Sequence, residues 1–412
     1  MLRLLIENTL DREEKIMAEW IEKSLGEIAE VTKLAGFEFT KYIKYNDDGE
    51  IIALRALNLR NGELDLSDIK RISREVSEGL TRSKIYKDDI LLTYTGNGYG
   101  DCAIIEENDK YHLAPNICKI VPNQNVIYPY YLYCYIRSKA FYNQMSNNMT
   151  GSGQPTIPMK TIRLLKIPVP DMSVQVKIAN MIRSLNQKIR NNKVINNNLF
   201  EQMQALYKAW FVDFEPFGGV RPSNWNDTNI YAIANIIYGA PFASKLFNTD
   251  GLGKPIIRIR DLKEQAFVTF TTEEHPKGHL IQPGDIVVGM DGEFRPYIWG
   301  NEPAWLNQRV CIFESNRPQG KAFVLYTIKP LLNKIEQTQV ATTVIHIGKK
   351  DFDAFEIILP DEATLDSFDS ITAPMIEQIV NNRLQNKRLA VLRDTLLPKL
   401  MSGELDVSNI EL

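Results

Sequence analysis

The glycine-lysine pairs of this 412-residue chain are its closest approach to a nucleotide-binding loop. The chain continues with Pro after Gly253-Lys254, with Ala after Gly320-Lys321 and with Lys after Gly348-Lys349, where a P-loop needs Ser or Thr. The run Gly96–Gly100 follows a strand-like segment but leads into a second apolar run, so it does not fit a dinucleotide-binding turn. A Gly-x-Ser-x-Gly nucleophile elbow is absent as well. These patterns argue against ATP hydrolysis by a P-loop in this chain.

The histidines and cysteines do not show the spacing of a metal site. His275 and His279 are four residues apart, but a proline and a glycine between them break the helix that a zinc-binding pair needs. None of the four cysteines has CxxC spacing, so they predict buried, reduced thiols in a cytoplasmic protein. The Asp-Pro-Pro-Tyr-type loop of amino-methyltransferases is absent. The two Pro-Asp pairs are also not followed by the Glu-x-Lys sequence that a nuclease motif of this kind requires. We therefore predict a protein that recognises a target and acts as a scaffold, with no enzymatic activity, metal or cofactor of its own.

Basic and polar side chains instead indicate contact with DNA. Residues 31–214 hold 24 basic against 18 acidic side chains, although the whole chain has a net charge of −3. Sequence-specific binding needs phosphate contacts for register and base contacts for reading, and both favour Arg and Lys. The predicted DNA-binding residues are Arg55, Lys70, Arg71, Arg74, Arg82, Lys84, Tyr99, Gln154, Arg258, Arg260, Lys263, Arg295 and Arg309.

Each group of candidates has a structural alternative. The basic run from Lys70 to Lys87 is equally compatible with a solvated helix face. A structural salt bridge would explain the duplicated pair Arg55 and Arg258 just as well as DNA contact. Loops such as Asn143–Gln154, rich in Asn, Gln and Ser, are also typical of flexible connections.

Length and composition predict several ordinary globular domains. A chain of 412 residues is longer than a single hydrophobic core usually supports. A composition of 44% hydrophobic and 24% charged residues excludes disordered and fibrous proteins. The first twenty residues lack a signal-peptide pattern, and no apolar run approaches the roughly 18 residues of a membrane span. We expect a soluble, intracellular protein without a membrane partner.

The sequence repeats itself at an offset that falls steadily from 205 to 190 residues, as it would if the second copy had shorter loops. The matched pairs are Trp20 and Trp225, Arg55 and Arg258, Asp89 and Asp285, Cys118 and Cys311, and Pro170 and Pro360. In each copy, short runs of β-branched and aromatic residues separated by turn sequences predict a globular domain of mixed strands and helices. A proline then ends the last of these runs, and a long helical pattern follows it. A tandem duplication accounts for all of these matches.

The two helical patterns share a heptad seam with asparagines at its centre. From Gln175 to about Phe214 there is no Pro or Gly, and apolar residues alternate in steps of four and three around Asn192 and Asn196. At an offset of 190 the second pattern has Asn382 and Asn386. Since each exposed apolar stripe needs a partner, we predict that the two helices pair with each other and that the asparagines set their register. The pattern leaves their relative orientation open, and an antiparallel pair would allow a pseudo-twofold arrangement. Asparagines that simply face solvent are the alternative.

Taken together, these features resemble the DNA-specificity (S) subunits of type I restriction-modification enzymes. The resemblance covers the chain after its N-terminal extension and is strongest in KIPVPDMSVQVKIANMIRSLNQKIRNNKVINNNLFEQMQALYKAWFVDF and LQNKRLAVLRDTLLPKLMSGELDV. NLRNGELDLSDI and DDILLTYTGNGYG in the first domain also resemble the family. The family pattern is met by Pro170, Gln175, Lys177, Ile178, Asn192, Asn196, Ala205, Leu206, Trp210 and Phe211.

The resemblance implies an α+β fold with an internal pseudo-twofold duplication. Target-recognition domain 1 would span residues 1–170 with an extension at 1–16, the first spacer helix 171–214, target-recognition domain 2 residues 215–360, and the second helix and tail 361–412. The helices would pack as an antiparallel coiled coil that sets a non-specific spacer of at most about 18 base pairs, from ~60 Å of helix and ~3.4 Å per base pair.

The resemblance also implies partners and a division of labour. The chain would bind double-stranded DNA at a bipartite target, recruit two methyltransferase (M) subunits and join motor-nuclease restriction (R) subunits. S-adenosylmethionine, ATP and Mg²⁺ would then be bound by those partners. A duplicated coiled-coil scaffold that bridges two copies of a protein partner without DNA is the competing interpretation, and an enzyme acting alone is a third.

Overall fold

The duplicated sequence folds into two units with corresponding sheets, one of which has an additional strand in the second unit. The computed structural model describes residues 20–151, 153–338 and 346–407, and these divide into two units. The first unit ends at Gln187 and resumes at Val391, whereas the second spans Lys188–Ala390. The predicted extension at residues 1–16 lies outside the described residues.

Two four-stranded sheets form the body of the first unit, in the orders β2-β11-β8-β9 and β6-β3-β10-β7. The side chains of β3 and β8 are buried at every position, which explains why their sequences are apolar apart from Thr93. The strands are β1 Ile21–Ser24, β2 Ala29–Lys33, β3 Ile51–Leu54, β4 Leu59–Arg60, β5 Glu63–Leu64, β6 Lys70–Ile72, β7 Lys84–Ile85, β8 Ile90–Thr93, β9 Cys102–Ile104, β10 Tyr111–Leu113, β11 Ile117–Pro122 and β12 Lys166–Val169.

Short helices cover these sheets. In the apolar helix Pro129–Ile136 every side chain is buried, and Pro129 stands at its first turn, where a missing N–H costs nothing. The helices are α1 Leu25–Ile28, α2 Gly36–Tyr42, α3 Arg74–Gly79, α4 Pro129–Ile136, α5 Lys139–Asn147 and α6 Met159–Leu164, followed by the long α7 Met172–Phe211.

The second unit contains a four-stranded sheet ordered β14-β22-β19-β20 and a five-stranded sheet ordered β15-β17-β16-β21-β18. Its strands are β13 Asn226–Asn229, β14 Ala234–Tyr238, β15 Phe247–Asn248, β16 Lys254–Ile257, β17 Phe270–Thr271, β18 Leu280–Ile281, β19 Ile286–Gly289, β20 Pro296–Ile298, β21 Ala304–Leu306, β22 Val310–Ser315 and β23 Glu356–Leu359. Its helices are α8 Lys321–Thr338, α9 Lys349–Asp353 and the long α10 Glu362–Met401.

The strand registers of the two units match residue for residue at the repeat offsets. Thr93 lies opposite Ile117 in the first unit, and Gly289 lies opposite Val310 in the second. The parallel pairs β3–β10 and β16–β21 correspond in the same way. The predicted duplication is therefore visible in the hydrogen-bonding pattern as well as in the sequence.

Each unit contains the beginning of one long helix and the end of the other. In the first unit, Ile178 and Ile182 of α7 share a core with Leu400 and Met401 of α10. In the second, Met203 and Phe211 of α7 share a core with Phe368 and Ile379 of α10. Together with the hydrogen bonds described below, these contacts confirm the predicted α+β class with two mixed domains and antiparallel long helices.

Candidate nucleic-acid interface

Three chain segments meet at one corner of the β2-β11-β8-β9 sheet of the first unit, and we name this region the first corner. The Tyr94 N–H donates to the Asn116 carbonyl at 3.2 Å, and the Ile157 N–H donates to the Tyr94 carbonyl at 3.1 Å. Thr95 and Thr156 form an isolated antiparallel bridge, with their hydroxyl oxygens 2.7 Å apart. The loops after β8, before β11 and before α6 are thus fixed to one another by backbone hydrogen bonds.

The second unit builds the same arrangement, which we name the second corner. The Met290 N–H donates to the Arg309 carbonyl at 2.8 Å, and the Ile347 N–H donates to the Met290 carbonyl at 2.9 Å. Asp291 and His346 form the antiparallel bridge that Thr95 and Thr156 form in the first unit.

Asn116 and Arg309 are structural equivalents at these corners. Both are exposed, and both have a left-handed backbone, with φ of 73° and 69°. Asn is one of the few residues that adopt this conformation readily, whereas a long side chain such as Arg does so at a cost. Arg309 therefore occupies a strained position on the surface of its domain.

The loops of the first corner carry two predicted site residues. Tyr99 stacks on Tyr142 with ring centroids 5.3 Å apart, and the Tyr142 hydroxyl donates to the Tyr99 oxygen at 2.8 Å, which holds the pKa of Tyr99 below its usual range. Gln154 is exposed on the adjoining loop, which the Gly96 N–H holds by donating to the Pro155 carbonyl at 2.8 Å. The structure therefore brings Tyr99 and Gln154 to the same corner.

Charged groups replace the threonines at the second corner. Asp291 pairs with His346 at 2.6 Å and lies 3.8 Å from the Arg309 guanidinium. More than half of the Arg309 and His346 side chains is exposed, against 22% for Asp291. Arg295 is exposed on the loop that follows Asp291 and pairs with Glu293 at 3.5 Å.

The basic run of the first unit is spread over the edges of a sheet. Lys70 and Arg71 lie on β6, whereas Lys84 lies on β7, and these two strands are opposite edges of the same four-stranded sheet. Between them, Arg74 is exposed on α3, and Arg82 pairs with Glu38 at 3.3 Å. The alternative of one solvated helix face is wrong, since the run contains two strands, a six-residue helix and a 3-10 turn. The structure does not bring these residues together in one cluster.

Arg55 and Arg258 are engaged inside their own domains. Arg55 donates to the Asp68 carbonyl at 2.8 Å and to its carboxylate at 3.0 Å. Arg258 pairs with Asp261 at 3.4 Å and also donates to the Thr269 hydroxyl. These contacts are the structural salt bridges that the sequence left open, and DNA binding by the two arginines stays a prediction.

Arg260 and Lys263 lie at and just after a 3-10 turn of the second unit, and both are exposed. Lys263 lines a groove of about 660 Å³ that the loops of the second domain form with the long helices inside this unit. Burial lowers the pKa of Lys387 in the groove, and its ammonium lies 3.7 Å from the centroid of the Phe267 ring. The half-buried Arg383 donates to the Ile298 carbonyl. Two of the basic groups of the groove thus hold the domain on α10.

The four seam asparagines bond across the two long helices within the second unit. Asn192 Nδ2 donates to Asn386 Oδ1, and Asn382 Nδ2 donates to Asn196 Oδ1, both at 2.8 Å. Asn192, Asn196 and Asn382 are buried, so the solvent-facing alternative does not hold for them. Because the partner number rises on one helix as it falls on the other, the helices run antiparallel. The proposed role in setting the register is consistent with this pairing.

The cysteines are all buried, and burial raises the pKa of Cys102, Cys118 and Cys134 to about 12. Among the described residues, no cluster of His, Cys, Asp and Glu is suited to a metal ion. In the same part of the chain, no helix has the length and apolar character to span a bilayer.

Sequence reasoning missed Asn116 and His346, and it missed the bridging residues Thr95, Thr156 and Asp291. The bridged pairs are 61 and 55 residues apart, so no local spacing connects them. Aligning the two copies at offsets of 196, 193 and 190 would have brought them into correspondence.

Comparison with known proteins identifies relatives of this whole arrangement. The family model described as "Type I restriction modification DNA specificity domain" matches residues 17–201 and 222–393. The specificity subunit of the type I restriction enzyme HindI of Haemophilus influenzae is 23% identical over 94% of this chain and 100% of its own length. That of MjaIX from Methanocaldococcus jannaschii is 26% identical over 96% of each chain.

A solved structure has the same fold. The crystal structure of the S subunit of a type I restriction-modification system from M. genitalium aligns with a TM-score of 0.59 and 14% sequence identity, covering 92% of this chain and 96% of that chain. At this identity the likeness shows the fold alone.

Proposed function

The chain belongs to the type I restriction-modification DNA specificity family, and we propose that each of its two domains reads one half of a bipartite DNA target. Membership establishes the coarser role of a non-catalytic subunit that recognises DNA and assembles with other subunits. The observation that carries the finer proposal is the repetition of one corner in two units. A single backbone framework presents exposed polar side chains twice, as two readers of two half-sites require.

The electrostatics of the first unit support phosphate contact at its surface. Arg74 is exposed on α3, and its own N–H donates to the Glu50 carboxylate at 3.0 Å, which fixes the start of the helix without using the guanidinium. Exposed arginines of this kind supply sequence-independent affinity that weakens with salt. Reading then depends on residues that reach base edges.

The proposal includes the partners. The chain would recruit two methyltransferase subunits and join restriction subunits in the cytoplasm, where the genome is accessible to the complex. It would bind no cofactor itself, while the partners would bind S-adenosylmethionine for adenine methylation, and ATP and Mg²⁺ for cleavage. The long helices would set the spacer between the half-sites.

The test uses the full chain reconstituted with its methyltransferase subunits. A gel-shift on random-sequence duplexes, followed by sequencing of the bound fraction, should enrich two short motifs at a fixed separation. Omitting this chain should abolish the enrichment. A scaffold that bridges protein partners without DNA predicts an intact complex and no enriched motif, which would overturn the proposal.

Lengthening both long helices tests the spacer separately. One added heptad in each of α7 and α10 adds about 10 Å of helix, equivalent to about three base pairs. We expect the spacer to lengthen while both half-sites stay the same. An unchanged spacer in a correctly assembled complex would show that the helices do not measure it.

A further inference from the structure

The two corners differ in chemistry at positions where their backbones are the same. Asn116 in the first unit corresponds to Arg309 in the second. Each is held by its backbone carbonyl, which accepts from the N–H of Tyr94 in the first unit and of Met290 in the second. Both side chains are exposed, so neither is needed to fill a core. Two related domains can prefer different bases if they carry different exposed side chains at equivalent backbone positions, as Asn116 and Arg309 do.

The second corner is built to orient Arg309 outward. Asp291 lies 3.8 Å from the guanidinium, a distance that attracts the positive charge but is too long for a hydrogen bond. His346 Nδ1 lies 2.6 Å from the same carboxylate oxygen, Asp291 Oδ1, and so helps to fix its place. The acid therefore positions the arginine while leaving the donors that face away from it for another acceptor.

On the basis of the proposed DNA-binding function, we propose that Arg309 reads a guanine in one half-site and that Asn116 reads an adenine at the corresponding place in the other. Arg presents a fork of donors that matches guanine O6 and N7, whereas the Asn amide pairs a donor and an acceptor with adenine N7 and N6. Asp291 and His346 are positioning residues for Arg309. The threonine pair at the first corner carries no charge, as suits a neutral amide reader.

The main test exchanges the two readers in the complex of the full chain with its methyltransferase subunits. Arg309→Asn should change the preferred base at one position of one half-site from guanine to adenine, with about a 5- to 150-fold change in relative preference. The other half-site should stay as it is. The readout is sequencing of the methylated fraction of a randomised DNA library, so a general loss of activity cannot imitate the result.

Asn116→Arg is the reciprocal variant and should change adenine to guanine in the other half-site. Arg388→Asn removes the same charge from an exposed position on α10, and it should leave both motifs unchanged. Thermal melting of each variant verifies folding, and Arg309→Asn is expected to fold well because Asn tolerates the left-handed backbone.

The outcomes separate this inference from the function on which it rests. If the parent complex methylates no bipartite motif, the proposed function fails. If the parent motif is clear but Arg309→Asn only weakens binding uniformly, Arg309 contacts phosphate and the reading assignment is overturned. Unchanged motifs in both exchange variants would overturn it equally.

Discussion

Replacing the paired asparagines of the long helices tests whether they act as a coupled polar layer. Asn382 donates to Asn196 Oδ1 at 2.8 Å, and both residues are about 95% buried. Asn382→Leu leaves the Asn196 carbonyl oxygen buried without this donor, at a cost of about 2 kcal/mol. Asn196→Leu strands the Asn382 amide and should cost about the same. In a unit of this size each change lowers the Tm by about 4–8 °C.

The double variant distinguishes coupling from simple loss. With both amides replaced by leucine, neither member of the Asn196–Asn382 pair is left without the other. Gln378, which donates to Asn382 Oδ1, is exposed and can donate to water, and the Ile379 carbonyl, which accepts from Asn196, belongs to the backbone of α10. Stability should therefore return to within about 1 kcal/mol of the parent, a coupling of about 3 kcal/mol. Calorimetry of the four proteins measures the cycle, and Asn197→Leu at an exposed position on the same helix is the matched control. Additive losses in the double variant, or no loss in either single variant, would refute the idea of a coupled layer.

Three further changes probe other parts of the structure. Burial raises the pKa of Asp89 to about 6, so its contribution to stability is full below about pH 4 and is lost as the pH rises through 6. The parent should therefore lose up to about 3 kcal/mol of unfolding free energy over this pH range, and Asp89→Asn should remove that loss, which chemical unfolding at several pH values measures. An unchanged pH slope would contradict this. Arg317 pairs with three carboxylates of α10, including Asp369, whose side chain is 2% exposed, so Arg317→Ala should cost about 3 kcal/mol in chemical unfolding, whereas Lys349→Ala at a surface ion pair should cost under about 1 kcal/mol. Since burial raises the pKa of Asp369, the Arg317→Ala deficit should shrink as the pH falls, and a deficit independent of pH would show that the charge is not its cause. Arg74→Ala should weaken DNA binding and reduce the salt dependence by about one phosphate contact, and equal titrations of variant and parent would exclude that contact.

The long helices and the duplication were predictable because both depend on periodic signals. The heptad steps around Asn192 and Asn196 identify the buried seam, and one offset of 190 finds its partner. Mostly apolar runs such as Ile90–Thr93 likewise indicate buried strands, since strands buried on both faces leave no alternation of polar residues.

The candidate site was only partly predictable, because sheet order and bridging depend on tertiary pairing. Lys70 and Lys84 are close in sequence, yet β3 and β10 separate their strands in the sheet. Thr95 and Thr156 are far apart in sequence, yet they are bridged. Arg309 was found from its charge alone, whereas its orientation by Asp291 and His346 required the fold.

The most direct test of the central claim is the methylation pattern that the full chain specifies. DNA methylated by the reconstituted complex would be read by sequencing that detects N6-methyladenine. We predict one bipartite motif, with two defined half-sites separated by a spacer of fixed length and arbitrary sequence, that disappears when this chain is omitted. A single continuous motif, or the same methylation without this chain, would contradict the account.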